Sequence, residues 1–292
     1  MSIGALAPWY GSNRIAPEAV GIALGRLDWC GVPFAGGCCE IPWIRARAGV
    51  GNDLHRHLIN LARVAADEGL AEQVAHRVSG LLFHPDELRM AQRRCSARET
   101  PPRAGLFAGP ASGPACDTAP SVEWATDYFV CCWMGRSAIA GTPSEFRSAI
   151  STRWTSSGGD SARRFRSAAE SLRAWHRMLA GWSFMTLDAF DFLSFCRDEA
   201  GHGVYADAPW PDAGDGYTHH FTADQQRRLA ARLATFEKAR VVIRYGDHPL
   251  IRELYADRGR WDWTESTTRG QAGNDVAEVL ITNTPIVGGP RP

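Results

Sequence analysis

Asp207, Ala208, Pro209 and Trp210 form the segment of this sequence best equipped for chemistry. The apolar run Gly203-Val204-Tyr205-Ala206 ahead of them reads as a short strand, so the acid falls at a strand end and the proline stiffens the turn behind it. Such a turn suits a planar amine. The amine's hydrogens need two acceptors, which the Asp207 carboxylate and the Ala208 carbonyl supply, and its ring needs a π-face, which Trp210 supplies. The nitrogen lone pair is then left facing an electrophile. An aspartate before a proline turn also serves as a plain cap or surface turn, so the tetrapeptide takes its meaning from the rest of the chain.

Strands and helices must deliver these groups. An apolar segment at 27–34 ends in Pro33-Phe34 and runs into Ala35-Gly36-Gly37, a strand entering a tight glycine turn. A second strand at 48–51 ends at Asn52-Asp53, ahead of the helical pattern Leu54, Leu58, Leu61, Val64 and Ala65. Residues 70–95 read as helical with a break at His84-Pro85, and 100–120 as a loop rich in Pro, Gly and Ala. Residues 128–133 read as a strand, and 161–178 as a basic helix. Alternation then resumes: a strand at 182–187 ending at Asp188, a helix from Phe190, the strand into Asp207, a helix at 223–236, a strand at 240–243, a helix near 249–255 and a strand at 276–282. This alternation predicts an α/β fold with a Rossmann-like, doubly wound, mostly parallel sheet.

The chain has 292 residues and a formal net charge of zero, yet residues 89–177 hold 13 arginines against 7 acids. A polyanion-facing segment and a solvated charged face both give such a count. Lys238 is the only lysine, so positive charge sits almost entirely on guanidinium groups, which grip phosphates and guanine edges in a bidentate way. Arg136, Arg153, Arg163, Arg164 and Arg166 are the candidate nucleic-acid contacts. The eight cysteines include no CxxC pair and no ligand-spaced Cys/His set, so no metal site is expected. No signal peptide or long apolar span is visible, and a cytoplasmic protein without a membrane partner is expected.

Doubly wound sheets bind ligands beyond the carboxyl ends of their strands. Here Gly36-Gly37, Asp53, Asp188 and Asp207 fall at four such ends. A glycine turn admits a ligand close to the backbone, the acid after the second strand accepts from ribose hydroxyls, and Asp188 accepts from an adenine amine. A dinucleotide would use similar groups, but no G-x-G-x-x-G follows the first strand.

The order of these motifs resembles that of the D12 class of DNA adenine methyltransferases, the Dam-like enzymes, over most of the chain. Pro8-Trp9-Tyr10-Gly11-Ser12-Asn13-Arg14 is similar to the family's opening aromatic-glycine motif, and Pro33-Phe34-Ala35-Gly36-Gly37 to its cofactor loop. Asn52-Asp53-Leu54 looks like the ribose motif, Asp188 the adenine-side acid, Asp207 to Trp210 the Asp-Pro-Pro-aromatic motif, and Glu278 to Asn283 the closing strand. The resemblance implies S-adenosylmethionine (SAM) as cofactor, held by Trp9, Tyr10, Asn13, Pro33, Phe34, Ala35, Gly36, Gly37, Asp53 and Asp188. It also implies methyl transfer to the N6 amine of an adenine flipped out of double-stranded DNA, with Asp207, Ala208, Pro209 and Trp210 at the reacting centre.

The implied layout is a SAM-binding catalytic domain from 1–69 and 182–292, with a mainly helical target-recognition domain inserted at 70–181. The expected protein is a monomer, with a cognate restriction enzyme as a candidate partner. Two positions depart from the pattern: Ala208 stands where the family usually has proline, and Asn13 where it has lysine. The departures leave open a non-catalytic relative that binds SAM or DNA, and a methyltransferase acting on RNA or another base.

Overall fold

The computed structural model describes residues 4–11, 17–99, 119–136, 139–155, 159–269 and 275–283. Asn13 and nearly all of the 100–120 loop lie outside them. In chain order the elements are α1 (Pro17–Leu24), β1 (Arg26–Val32), β2 (Arg45–Asn52), α2 (Arg56–Ala66), α3 (Glu68–Ser79), α4 (Pro85–Glu99) and α5 (Val122–Met134). Next come β3 (Trp154–Thr155), β4 (Gly159–Asp160), α6 (Ser161–Leu179), β5 (Trp182–Met185), α7 (Ala189–Phe195) and β6 (His202–Ala206). The last are α8 (Ala223–Leu233), β7 (Arg240–Gly246), α9 (Pro249–Leu254), β8 (Asp262–Arg269) and β9 (Asp275–Thr282).

Seven strands form one sheet in the order β5-β2-β1-β6-β7-β9-β8. The pairings from β5 across to β7 are parallel, and β9 runs antiparallel to both β7 and β8. The expectation of an α/β fold with a mostly parallel sheet therefore holds, and the sheet is compatible with a Rossmann-like arrangement. Side chains alternate along the central strands, so each strand feeds two cores. Tyr205 and Val242 join a core with α1 to α6, while Val204, Ala206, Val241 and Ile243 join a second core with α7, α8 and α9. Helices thus cover both faces. The strand order reverses between β1 and β6, and the crevice beyond their carboxyl ends is where such a sheet receives a ligand.

Helices α3 to α6, which fall inside 70–181 apart from the first two residues of α3, share the core of α2 and of strands β1, β2 and β5. The strand expected at 128–133 is instead the second half of α5. Its run Phe129-Val130-Cys131-Cys132-Trp133 is rich in β-formers, but the Ser121 hydroxyl accepts from Trp124 N as an N-cap, and Glu123 sits in the first turn. An apolar run wrapped by neighbours on nearly all sides carries no period to separate helix from strand. The edge strand β8 and the short α1 were not anticipated.

Asn52, 1 % exposed at the end of β2, ties three strand ends together. Its amide donates to the carbonyls of Pro33 (3.1 Å) and Leu187 (3.0 Å), and its carbonyl accepts from Leu187 N (2.9 Å). Truncation leaves those buried groups unpaired, at about 1–3 kcal/mol for such a group. Asn52→Ala is expected to lower the urea unfolding free energy by about that amount, with little change in the slope against urea concentration.

Candidate functional site

Beyond β1 the backbone turns sharply, and Gly36 takes a φ of +45°, in the left-handed region. A Cβ at Gly37 would meet the Ala7 carbonyl at 2.5 Å, so only glycine fits there. Asp53, beyond β2, clamps this turn. Its Oδ2 accepts from Gly36 N and its Oδ1 from His55 N, both at 2.9 Å. A carboxylate offers about four acceptor positions, so two remain for a ligand. Among the described residues no cation pairs with Asp53, and the exposed apolar side chains of Leu54 and Met185 lie at the same sheet edge. Pro33 and Ala35 hold the turn through Asn52, whose backbone carbonyl accepts from Ala35 N at 2.8 Å.

Asp207 follows β6. The register pairs Tyr205 with Val242 and Ala206 with Ile243, so the next step sets Asp207 beside Arg244 of β7. Arg244 Nη1 donates to Asp207 Oδ2 at 3.0 Å, and the same guanidinium makes a double contact to Glu278 of β9. The Tyr205 hydroxyl also lies 3.3 Å from Oδ2, while Trp210 Nε1 donates to Oδ1 at 3.2 Å. With the Tyr205 hydrogen turned to Asp207, which it can equally turn to Glu40 Oε1 at 3.3 Å, three donors occupy three of the four acceptor positions, and one on Oδ1 is left in either case. Nothing among the described residues donates to the carbonyl of the buried Ala208, so this turn carries a second acceptor without a donor. Pro209 is fixed by Gln226 Nε2, which donates to its carbonyl at 2.7 Å. The half-buried Trp210 indole packs on the Arg244 guanidinium, 4.9 Å from its ring centre, and against Gly246, where a Cβ would come within 2.6 Å of it.

Asp188 is exposed and caps α7 by accepting from Phe190 N at 2.9 Å. Behind it, Phe190 stacks on Phe221, and Phe34 meets Phe221 edge-on, joining the ends of β1 and β5 to the loop after Trp210. Trp9 is buried. It wedges between Gly36, Gly141 and His55, with its ring 5.1 Å from the imidazole. Tyr10 packs edge-on to Tyr217, whose hydroxyl donates to the Tyr10 carbonyl at 2.6 Å. The rim is closed by Gly141, which gives its amide to Glu145 and its carbonyl to Thr218 N. His55 accepts from Leu58 N on Nδ1, so its Nε2 carries the hydrogen and donates to Glu145 at 2.7 Å. His219 and His220 are exposed.

Four of the five arginines gather at one end of the helical layer. Arg136 follows α5 where Gly135 bridges to Ile150, and the Arg153 carbonyl accepts from Ser161, the first residue of α6, which also carries Arg163 and Arg164. Arg166 lies one turn on. Arg163 leans on Asp160 at 3.6 Å, and the other four make no ion pair among the described residues.

Sequence reasoning missed Glu40, Arg244 and the role of Glu278. The available signal was a charge inside an apolar strand, Val241-Val242-Ile243-Arg244-Tyr245, which requires a buried partner. Burial pushes the Glu40 carboxyl up to about 7, and the Asp207 charge adds to the effect. Burial likewise raises Asp207, against the pull of Arg244. Folded Glu40 therefore keeps its proton to about 7, against 4.5 for a free side chain. Between those values the folded state binds the extra proton, so stability falls as pH rises through the window. Thermal melts from pH 5 to pH 8 are expected to show that fall in the natural chain and a flatter profile in Glu40→Gln.

In comparisons with known proteins, no family model matches the chain and no curated protein matches it.

Proposed function

We propose that this chain is a SAM-dependent DNA methyltransferase acting on the N6 amine of an adenine flipped out of the duplex. The observation that carries the reading is the acceptor position left on Asp207 next to the Ala208 carbonyl, which has no donor among the described residues, at the end of β6, the strand paired with the β1 strand that leads into the Gly36-Gly37 turn. Two acceptors on one turn suit the two hydrogens of an exocyclic amine, whose lone pair is then left for the methyl donor. Further support comes from the mostly parallel seven-stranded sheet, in keeping with the mostly parallel methyltransferase sheet that the resemblance implies.

The residues present fit the cofactor. The glycine cradle admits backbone contact, Asp53 has acceptor positions to spare for ribose hydroxyls, and Leu54 and Met185 offer apolar surface for a base. SAM supplies an electrophilic methyl group. Asp207 and Ala208 orient the amine toward it, Trp210 borders the ring, and catalysis is largely positioning. The arginine end near α6 suits the phosphates of double-stranded DNA. With no described helix long and apolar enough to cross a membrane, a cytoplasmic site of action fits this reading.

The deciding experiment incubates the purified protein with methyl-labelled SAM and DNA of diverse sequence, digests the product and identifies the modified nucleoside by mass. N6-methyladenine is expected, and long-read mapping then gives the sequence context. Binding of SAM and DNA without turnover would mark a non-catalytic relative. Methylated RNA or another base would move the acceptor.

A further inference from the structure

We propose that Glu40 is a positioning residue for Asp207, acting through the single hydroxyl hydrogen of Tyr205, and so sets how strongly Asp207 accepts the substrate amine. The inference rests on the methyl-transfer reading. The Tyr205 Oη stands 3.3 Å from Glu40 Oε1 and 3.3 Å from Asp207 Oδ2. A hydroxyl has one hydrogen and donates to one carboxylate at a time. With Glu40 protonated, Glu40 donates to Oη and Tyr205 donates to Asp207. With Glu40 ionised, the two carboxylates compete for the hydrogen, and Asp207 keeps more of its acceptor strength for the amine.

The surroundings favour such a switch. Glu40 is faced by Cys39 of its own loop, whose thiol lies 3.0 Å from Oε2, by Tyr205 and Asp207 at the end of β6, and by Arg244 of β7, with Glu278 of β9 behind the guanidinium. Arg244 pairs with Asp207 and not with Glu40, which makes no ion pair among the described residues, so a proton on Glu40 relieves its repulsion with the Asp207 carboxylate.

Two substitutions lock opposite states. In Glu40→Gln the amide oxygen faces the Cys39 thiol and the NH2 faces Tyr205, which imitates protonated Glu40. In Tyr205→Phe no hydroxyl reaches Asp207, which imitates the ionised state. The natural chain is expected to transfer methyl groups roughly three- to tenfold faster at pH 8 than at pH 6, the worth of about one hydrogen bond. Glu40→Gln should stay at the slow level and Tyr205→Phe at the fast level across that range. Equal pH profiles in all three proteins would overturn the inference. A second readout needs no turnover: pH-difference infrared spectra should contain a carboxyl band titrating near neutrality, lost in Glu40→Gln and moved to lower pH in Asp207→Asn. If no nucleic acid is methylated but this band behaves as stated, the methyl-transfer reading fails and the Glu40–Tyr205–Asp207 coupling stands. A band indifferent to Asp207→Asn removes the coupling itself.

Discussion

Asp207→Asn is expected to slow methyl transfer by about 10²–10³-fold, or about 3–4 kcal/mol of transition-state stabilisation, while cofactor affinity stays within a few-fold. The amide is nearly the same size as the carboxylate, so packing is kept and the loss is electrostatic. Its NH2 has no acceptable orientation. Turned toward Arg244 and Tyr205 it meets a guanidinium and a hydroxyl, and turned toward Trp210 it meets the indole N–H. One donor–donor clash follows either way, and the negative charge that steadies an amine gaining positive character is gone. Single-turnover rates with saturating cofactor and DNA test this, with cofactor binding followed by calorimetry. An unchanged rate would remove Asp207 from the reacting centre.

Arg244→Ala is expected to cost about 3–5 kcal/mol of folding free energy, the usual penalty for stranding buried charge. The guanidinium is 6 % exposed, and its partners Asp207 and Glu278 are 18 % and 11 % exposed, so water reaches none of them well. The loss should depend on pH. Burial already raises Asp207 against the lowering pull of Arg244, and removing that pull raises it further. Protonation then relieves the stranded charge, so the variant should sit closer to the natural chain at pH 5 than at pH 8. Urea unfolding at the two pH values measures both the size and the direction.

The glycine turn, Asp53, Asp188 and Asp207 were legible because each sits at the end of an apolar run, and that local pattern alone marks the carboxyl edge of a parallel sheet. The helix α6 was legible from its arginines alternating with Phe165, Ala168, Leu172 and Trp175. The neighbours of Asp207 were not. Glu40, Arg244 and Glu278 are far apart in sequence and meet only through the strand order and register, which no local pattern encodes. The same limit hid the work of Trp9. As a sequence feature it reads as a ligand-facing aromatic, whereas in the fold it is an internal wedge. Helix α5 was misread for the opposite reason, since a segment buried nearly all round has lost the polar face that reveals its period.

The Trp9 wedge also bears on how the affinities of two ligands are linked. The ring touches the turn at Gly36 on one side and Gly141 on the other, and Thr218 binds the Gly141 carbonyl. Close-packed contacts leave little slack, so a ligand that displaces the 139–145 segment also displaces the glycine turn. Thermodynamic reciprocity then requires that whatever factor one ligand imposes on the affinity of the second, the second imposes on the first. Affinities measured for either ligand alone therefore describe only half of a linked pair, and the ternary complex has to be titrated from both directions.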